Sequence, residues 1–264
     1  MKIGFIGTGD ISEAVITGMM RANLPPEFAV EEIIVSARSR HISTHLAETF
    51  DTVRVCEANQ DIVDAGCDLL FLAVLPQQTE EVLRALKIPE GQDIASLIAT
   101  VPVEKIAEWS GTKGRITRAI PLPPVADLRA VTILSGPSKP LEAIFEKLGG
   151  VIVSNSLDDF NALSIATATM GTFFGMQQIM TDWMEQKGVA EPDARRFLSS
   201  LFLALSQTSV AADKPFAQLR DAHSTPGGLN AQMFDVFSEA GGRAALNDGL
   251  ESVFRRTVGT PKAQ

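Results

Sequence analysis

The sequence predicts a two-domain α/β protein, with a doubly wound, mostly parallel sheet over residues 1–156 and an all-helical domain over 157–264. Through the first part, short apolar runs alternate with amphipathic stretches. The first of these runs leads straight into a Gly-x-Gly turn, and beyond Asn155 only helical periodicity remains.

Ile3–Ile6 reads as a short buried strand ending at Gly7-Thr8-Gly9. Ile11–Arg21 is helical, with Ile11, Ala14, Val15, Gly18 and Met19 on one face, and Pro25-Pro26 stops it because proline lacks the N–H. Ile33–Val35 is a second strand, His41–Phe50 a helix and Val53–Val55 a weak strand. Asp68–Val74 is the strongest strand signal, continuously apolar as a strand covered on both faces must be. The alternation continues with helix Thr79–Leu86, strand Asp93–Ile98, helix Val103–Trp109 and strand Arg115–Ala119. Strands Val131–Ser135 and Val151–Val153 flank helix Pro140–Leu148. Leu157–Lys187, Asp193–Ala212 and Leu229–Phe254 then read as helices, and the tail from Gly259 to Gln264 is expected to fray.

Composition sets bounds on function. With 45% hydrophobic and 21% charged residues, the chain matches an ordinary soluble globular protein. Its net charge of -9 repels phosphate backbones, so no nucleic-acid partner is expected. The two cysteines, Cys56 and Cys67, form no CxxC and join no His/Cys cluster. No metal site or disulfide framework is expected, and a reducing cytoplasm suits the chain. Residues 161–181 carry no charge but include Asn161, Thr169, Gln177 and Gln178, which favours a buried or interface helix over a membrane span. Together with the uncharged stretch 197–212, this is more apolar surface than a lone small helical domain can bury, so a homodimer or higher homo-oligomer is expected.

Gly7-Thr8-Gly9-Asp10-Ile11-Ser12 nearly matches the G-x-G-x-x-G/A fingerprint of a Rossmann domain, with Ser12 in the third small position. The first glycine permits the tight turn, the second lets backbone approach a diphosphate, and the following helix points free N–H groups at it. The plain alternative is a structural turn. After the second strand comes Ser36-Ala37-Arg38-Ser39-Arg40, without the acid that would bond an NAD ribose. A guanidinium fork suits a 2′-phosphate, so NADP(H) is the expected cofactor and NAD(H) the second candidate. The alternative fate of Arg38 and Arg40 is a solvated loop. Ala73, Val74, Pro76 and Gln77 lie at the carboxyl end of the strongest strand, where ligands bind in open α/β sheets, although a turn without chemistry reads almost as well. Pro121-Leu122-Pro123-Pro124 makes a stiff loop that is either a pocket wall or simply rigid.

In the helical part, Ser224-Thr225-Pro226-Gly227-Gly228-Leu229-Asn230 is a polar, glycine-rich turn ahead of an amphipathic helix. Converging N–H groups there would make a nest for an anion such as a substrate carboxylate, with Ser224, Thr225 and Asn230 adding side-chain bonds. An ordinary capped helix is the competing reading. Of the three histidines, His41 and His45 read as surface residues and His223 as structural rather than proton-donating.

Taken in order, Ile3-Gly4-Phe5-Ile6-Gly7-Thr8-Gly9, Ala73-Val74-Leu75-Pro76-Gln77, Ile94-Ala95-Ser96-Leu97-Ile98-Ala99, Arg118-Ala119-Ile120-Pro121, Leu219-Arg220-Asp221, Pro226-Gly227-Gly228 and Glu239–Leu246 resemble the successive motifs of pyrroline-5-carboxylate reductases. The resemblance covers nearly the whole chain. It implies hydride transfer from NADPH to a cyclic imine carboxylate, giving proline, by an oligomer built from the helical domain. It also implies that the backbone amides from Gly227 through Gly228 and Leu229 to Asn230 hold the carboxylate, beside the Thr225 side chain already singled out. Asn230 stands where the family has a threonine that contacts the imine nitrogen, and its side-chain amide is expected to orient the imine or the carboxylate as the catalytic residue. Leu75 stands where the family has lysine, and Leu122 lies in a further departure, where the family has Met-Pro-Asn-Thr-Pro. Met170 falls within the replacement of the family's Ser-Gly-Ser-Gly-Pro-Ala stretch. The other readings are a reductase of a different imine or 2-oxo substrate, and a non-catalytic dinucleotide-binding regulator.

Overall fold

A computed structural model describes residues 1–258 and divides the chain into two compact units, Met1–Ser164 and Ile165–Gln264. The expected fraying of the tail from Gly259 lies outside the described residues.

The first unit is built on eight strands: β1 (Lys2–Ile6), β2 (Glu32–Ser36), β3 (Val53–Cys56), β4 (Leu69–Leu72), β5 (Ile94–Ser96), β6 (Ile116–Ile120), β7 (Thr132–Leu134) and β8 (Val151–Val153). They form one sheet in the order β3-β2-β1-β4-β5-β6-β7-β8. Every pairing is parallel except β6 with β7. Alternate residues of each central strand face opposite sides. Ile3 and Phe5, Ile33 and Val35, and Leu69 and Phe71 join one apolar core, while Ile6, Ile34, Leu70 and Leu72 join the other. Phe5 and Phe71, register partners on β1 and β4, stack with ring centroids 4.5 Å apart. Burial on both faces is why these strands are continuous apolar runs.

The helices of this unit are α1 (Asp10–Arg21), α2 (Arg40–Thr49), α3 (Asn59–Asp64), α4 (Thr79–Arg84), α5 (Val103–Ser110) and α6 (Lys139–Lys147), and α7 (Leu157–Ala166) begins at its end. Apolar residues of α1, including Val15, Ile16 and Met19, are buried in the core that holds Phe5 and Phe71. The six-residue α3 was not expected from the sequence, being too short to display a helical period.

In the second unit the described residues form α8 (Thr169–Gln186), α9 (Glu191–Ala211), α10 (Phe216–Ala222), α11 (Leu229–Glu239) and α12 (Gly242–Val258). Two long helices expected from periodicity are each broken. The stretch 157–187 is interrupted at Thr167-Ala168, where the Thr169 hydroxyl donates to the Ala166 carbonyl and competes with the helical ladder. The stretch 229–254 is interrupted at Gly241, whose φ of +87° ends α11 in a left-handed cap. Ala194 and Leu198 are buried, but Phe174, Ile179, Trp183, Phe197 and Val210 are exposed. No helix among the described residues is long and apolar enough to cross a membrane.

Candidate functional site

Strand order reverses between β1 and β4, and a crevice outside the carboxyl ends of strands at such a switch point is where open α/β sheets bind ligands. The residues immediately after these two strands are Gly7 and Ala73. Gly7 has φ +96°, and a Cβ there would run into the backbone carbonyl of Ala73, so only glycine lets the two chains approach this closely. Ala73 N–H donates to the Ile6 carbonyl at 2.8 Å, which ties the ends of β1 and β4 together.

The turn is held from below by buried hydroxyls. Gly7 N–H donates to Ser36 Oγ at 3.1 Å, Thr8 Oγ1 donates to the Ser36 carbonyl at 2.9 Å, and Ser12 Oγ donates to the Gly7 carbonyl at 2.9 Å. Thr8, Ser12 and Ser36 are thus anchors whose hydroxyls face inward. At Gly9 the opposite holds: a Cβ would meet nothing within 4 Å, so the second glycine faces open space. Gly9 caps α1 with no side-chain bond to the helix start, leaving the N–H groups at Asp10, Ile11 and Ser12 without a side-chain cap. Asp10 and Glu13 bring carboxylates to the same turn, so the amides rather than net charge make this end receptive to a diphosphate.

A cavity of about 420 Å³ opens beside the turn, lined by Gly7, Ser36, Ala37, Arg38, Arg40, Glu57, Asn59 and Val74. Arg38 is exposed and makes no ion pair or side-chain hydrogen bond among the described residues. Arg40 is engaged, its Nη2 lying 2.7 Å from Glu57 Oε2. Three predicted cofactor residues therefore line one cavity with Arg38: Gly7, Ser36 and Val74. Ala73 abuts the turn, whereas Pro76 and Gln77 begin an exposed single-turn helix, Pro76–Gln78, that does not line the cavity. The sequence reading missed Glu57 and Asn59, which follow β3. The available signal was position: β3 is the parallel neighbour of β2, with Ser36 opposite Cys56, so residues just past its carboxyl end reach the same crevice.

Arg118 on β6 is buried, its Nη2 donating to the Ala99 carbonyl and its guanidinium lying 4.4 Å from the centroid of the Phe160 ring. Its Nε has no hydrogen-bond partner among the described residues, and burial pushes the guanidinium's pKa down. This arginine secures the loop that follows β5. Cys67 offers no nucleophile, because burial pushes its thiol up to about 11.

In the second unit, Gly227 has φ +73° and open space around its Cβ position. Gly228, extended at φ -81° and ψ 163°, precedes α11 without a side-chain cap. Gly228 N–H donates to the Thr225 carbonyl at 2.8 Å, and Asn230 Nδ2 donates to the His223 carbonyl at 2.8 Å. Thr225, Leu229 and Asn230 are all exposed, and His223 Nδ1 lies 2.8 Å from the Leu219 carbonyl. One N–H of the Asn230 amide is thereby occupied, leaving its second N–H and its Oδ1.

Two family models match the chain: residues 2–100 fit one described as NADP oxidoreductase, coenzyme F420-dependent, and residues 155–259 fit pyrroline-5-carboxylate reductase dimerisation. A pyrroline-5-carboxylate reductase of Pseudomonas aeruginosa is 25% identical over 97% of this chain and 96% of its own length. Pyrroline-5-carboxylate reductase 3 of Danio rerio is 25% identical over 97% and 90%. Among solved structures, the 1-pyrroline-5-carboxylate reductase of Streptococcus pyogenes superposes with a TM-score of 0.84 at 22% identity, covering 97% of this chain and 98% of that one. A Plasmodium falciparum pyrroline carboxylate reductase, solved with NADP bound, gives 0.81 at 17% identity and covers 97% of each chain. Residues 155–259 thus match the dimerisation domain of pyrroline-5-carboxylate reductases, residues 2–100 match an NADP oxidoreductase domain, and the chain is similar to pyrroline-5-carboxylate reductases over nearly its full length.

Proposed function

We propose that this protein is an NADPH-dependent reductase that converts a cyclic imine carboxylate, 1-pyrroline-5-carboxylate, to proline. The observation that carries the reading is the Gly7 turn, closed against Ala73 and opening on a cavity in which Arg38 is unpaired. The donor set fits a phosphorylated dinucleotide: uncapped amides at the start of α1 for the diphosphate, and a free guanidinium for the 2′-phosphate. When bound, NADPH supplies the hydride.

The chain's own residues bind and orient. Of the amides from Gly227 to Asn230 at the start of α11, that of Gly228 is committed to the Thr225 carbonyl, and those of Gly227, Leu229 and Asn230 receive the substrate carboxylate, with Thr225 beside them. The remaining Asn230 amide atoms orient the imine, and Oδ1 accepts a hydrogen bond from its protonated nitrogen. A protonated imine needs no donor: hydride adds to the ring carbon, the carbon–nitrogen π pair moves to nitrogen, and the nitrogen keeps its proton. No histidine is required in this scheme, consistent with His223 being committed to the Leu219 carbonyl.

The helical unit assembles as a homodimer or a higher homo-oligomer. This rests on the match of residues 155–259 to a dimerisation domain and on an apolar cavity of about 580 Å³ lined by Phe173, Met176, Phe237, Leu246, Leu250 and Val253. The cytoplasm is its compartment in this reading, with Cys56 and Cys67 both free thiols, and a chain of net charge -9 has no nucleic-acid partner. The test is to follow NADPH oxidation with pyrroline-5-carboxylate beside a panel of other cyclic imines and 2-oxo acids. Turnover of pyrroline-5-carboxylate is expected. Turnover of another imine alone overturns the substrate, and NADPH binding without any turnover overturns the catalytic reading.

A further inference from the structure

The sequence lacks an acid at the end of β2, yet the structure places one in the cavity. Glu57 comes from the end of β3, lines the space together with Ser36, Arg38 and Asn59, and holds Arg40 Nη2 at 2.7 Å. The two arginines of this loop are therefore not equivalent. Arg38 is free to meet a phosphate, whereas Arg40 can reach one only by leaving Glu57. Both partners of that pair are well exposed, Arg40 at 74% and Glu57 at 70% of the side chain, so water screens the pair and Arg40 exchanges partners readily. A carboxylate beside a 2′-phosphate repels it, while the same carboxylate accepts a hydrogen bond from a ribose 2′-hydroxyl.

We infer that Glu57 is a specificity-determining residue of the adenosine end: it competes with a 2′-phosphate for Arg40 and favours the ribose that carries only a hydroxyl, so the cavity accepts both NADPH and NADH. This rests on the dinucleotide reading above and adds to it the residue that sets the balance. Glu57 narrows a preference for NADPH that Arg38 alone would make large.

The experiment measures the Kd of NADPH and of NADH separately by calorimetry on the full-length protein, with no substrate present. In Glu57→Gln, NADPH binding is expected to tighten and NADH binding to weaken, moving the ratio of the two Kd values on the order of tenfold toward NADPH. Arg40→Met then provides a second arm. Its cost to NADPH binding is expected to be larger in the Glu57→Gln background than in the wild-type protein, because only there is the guanidinium released. An unmoved Kd ratio, or costs that simply add, overturns the role of Glu57 while leaving the dinucleotide site standing. Wild-type protein that binds neither NADPH nor NADH overturns both.

Discussion

At Gly7 the turn is fixed by groups far away in sequence, Ser36 on β2 and Ala73 after β4, and all three hydroxyls that hold it are buried. At Gly227 the turn is fixed, among the described residues, by its neighbours, through Gly228 N–H on Thr225 and the Asn230 amide on His223, and it lies exposed. Both are glycine turns leading into a helix with no side-chain cap. The first is a property of the whole sheet, so it cannot change without disturbing the fold. The second is local, so its chemistry can be altered at little structural cost. Asn230, where the resemblance to pyrroline-5-carboxylate reductases places threonine, falls in the second.

The most severe way to break this contrast is Gly7→Ala. A Cβ there meets the Ala73 backbone at a left-handed φ, so the variant should lose about 3–5 kcal/mol in urea denaturation and lose NADPH binding with it. Near wild-type stability would show that the first turn is no more constrained than the second. Asn230→Ala comes next. Its kcat/KM should fall roughly 100-fold while the Kd for NADPH holds, since only substrate orientation is removed; unchanged kinetics would reduce Asn230 to a helix-start tie.

Arg38→Ala sharpens the first region from its cavity side. Loss of one charge-assisted contact should weaken NADPH about 10–100-fold and leave NADH nearly unaffected, as read by calorimetry. Equal losses for both dinucleotides would move the 2′-phosphate away from Arg38. The smallest effect belongs to Gly227→Ala: with open space around the Cβ, only the backbone conformation opposes it, and about 1–2 kcal/mol should be lost. A loss as large as that of Gly7→Ala, measured in the same denaturation series, would erase the contrast.

Much of the first unit was legible in the sequence because its strands are buried on both faces. Asp68–Val74, which contains β4, could only be such a strand, and the Gly7–Ser12 pattern right after β1 marked the crevice. The Glu57–Arg40 pair was not legible, because it depends on β3 lying beside β2 and not on any local pattern. Nor was the antiparallel β6–β7 pairing, since an apolar run carries no direction. The breaks at Thr167-Ala168 and at Gly241 escaped notice because apolar periodicity on each side is strong enough to suggest one continuous helix.

By itself the amino-acid sequence determined which segments become strands and helices, where the glycine turns fall, and which arginines follow β2, because apolar period and backbone freedom are properties of short stretches of chain. Only the tertiary structure decided that Ser36 would hold Gly7 while lining the cavity, that Arg38 would be free while Arg40 is paired, and that an acid would return to the crevice from β3. Those outcomes depend on strand order and register, which join residues far apart in the chain through hydrogen bonds and charges effective only over a few ångströms.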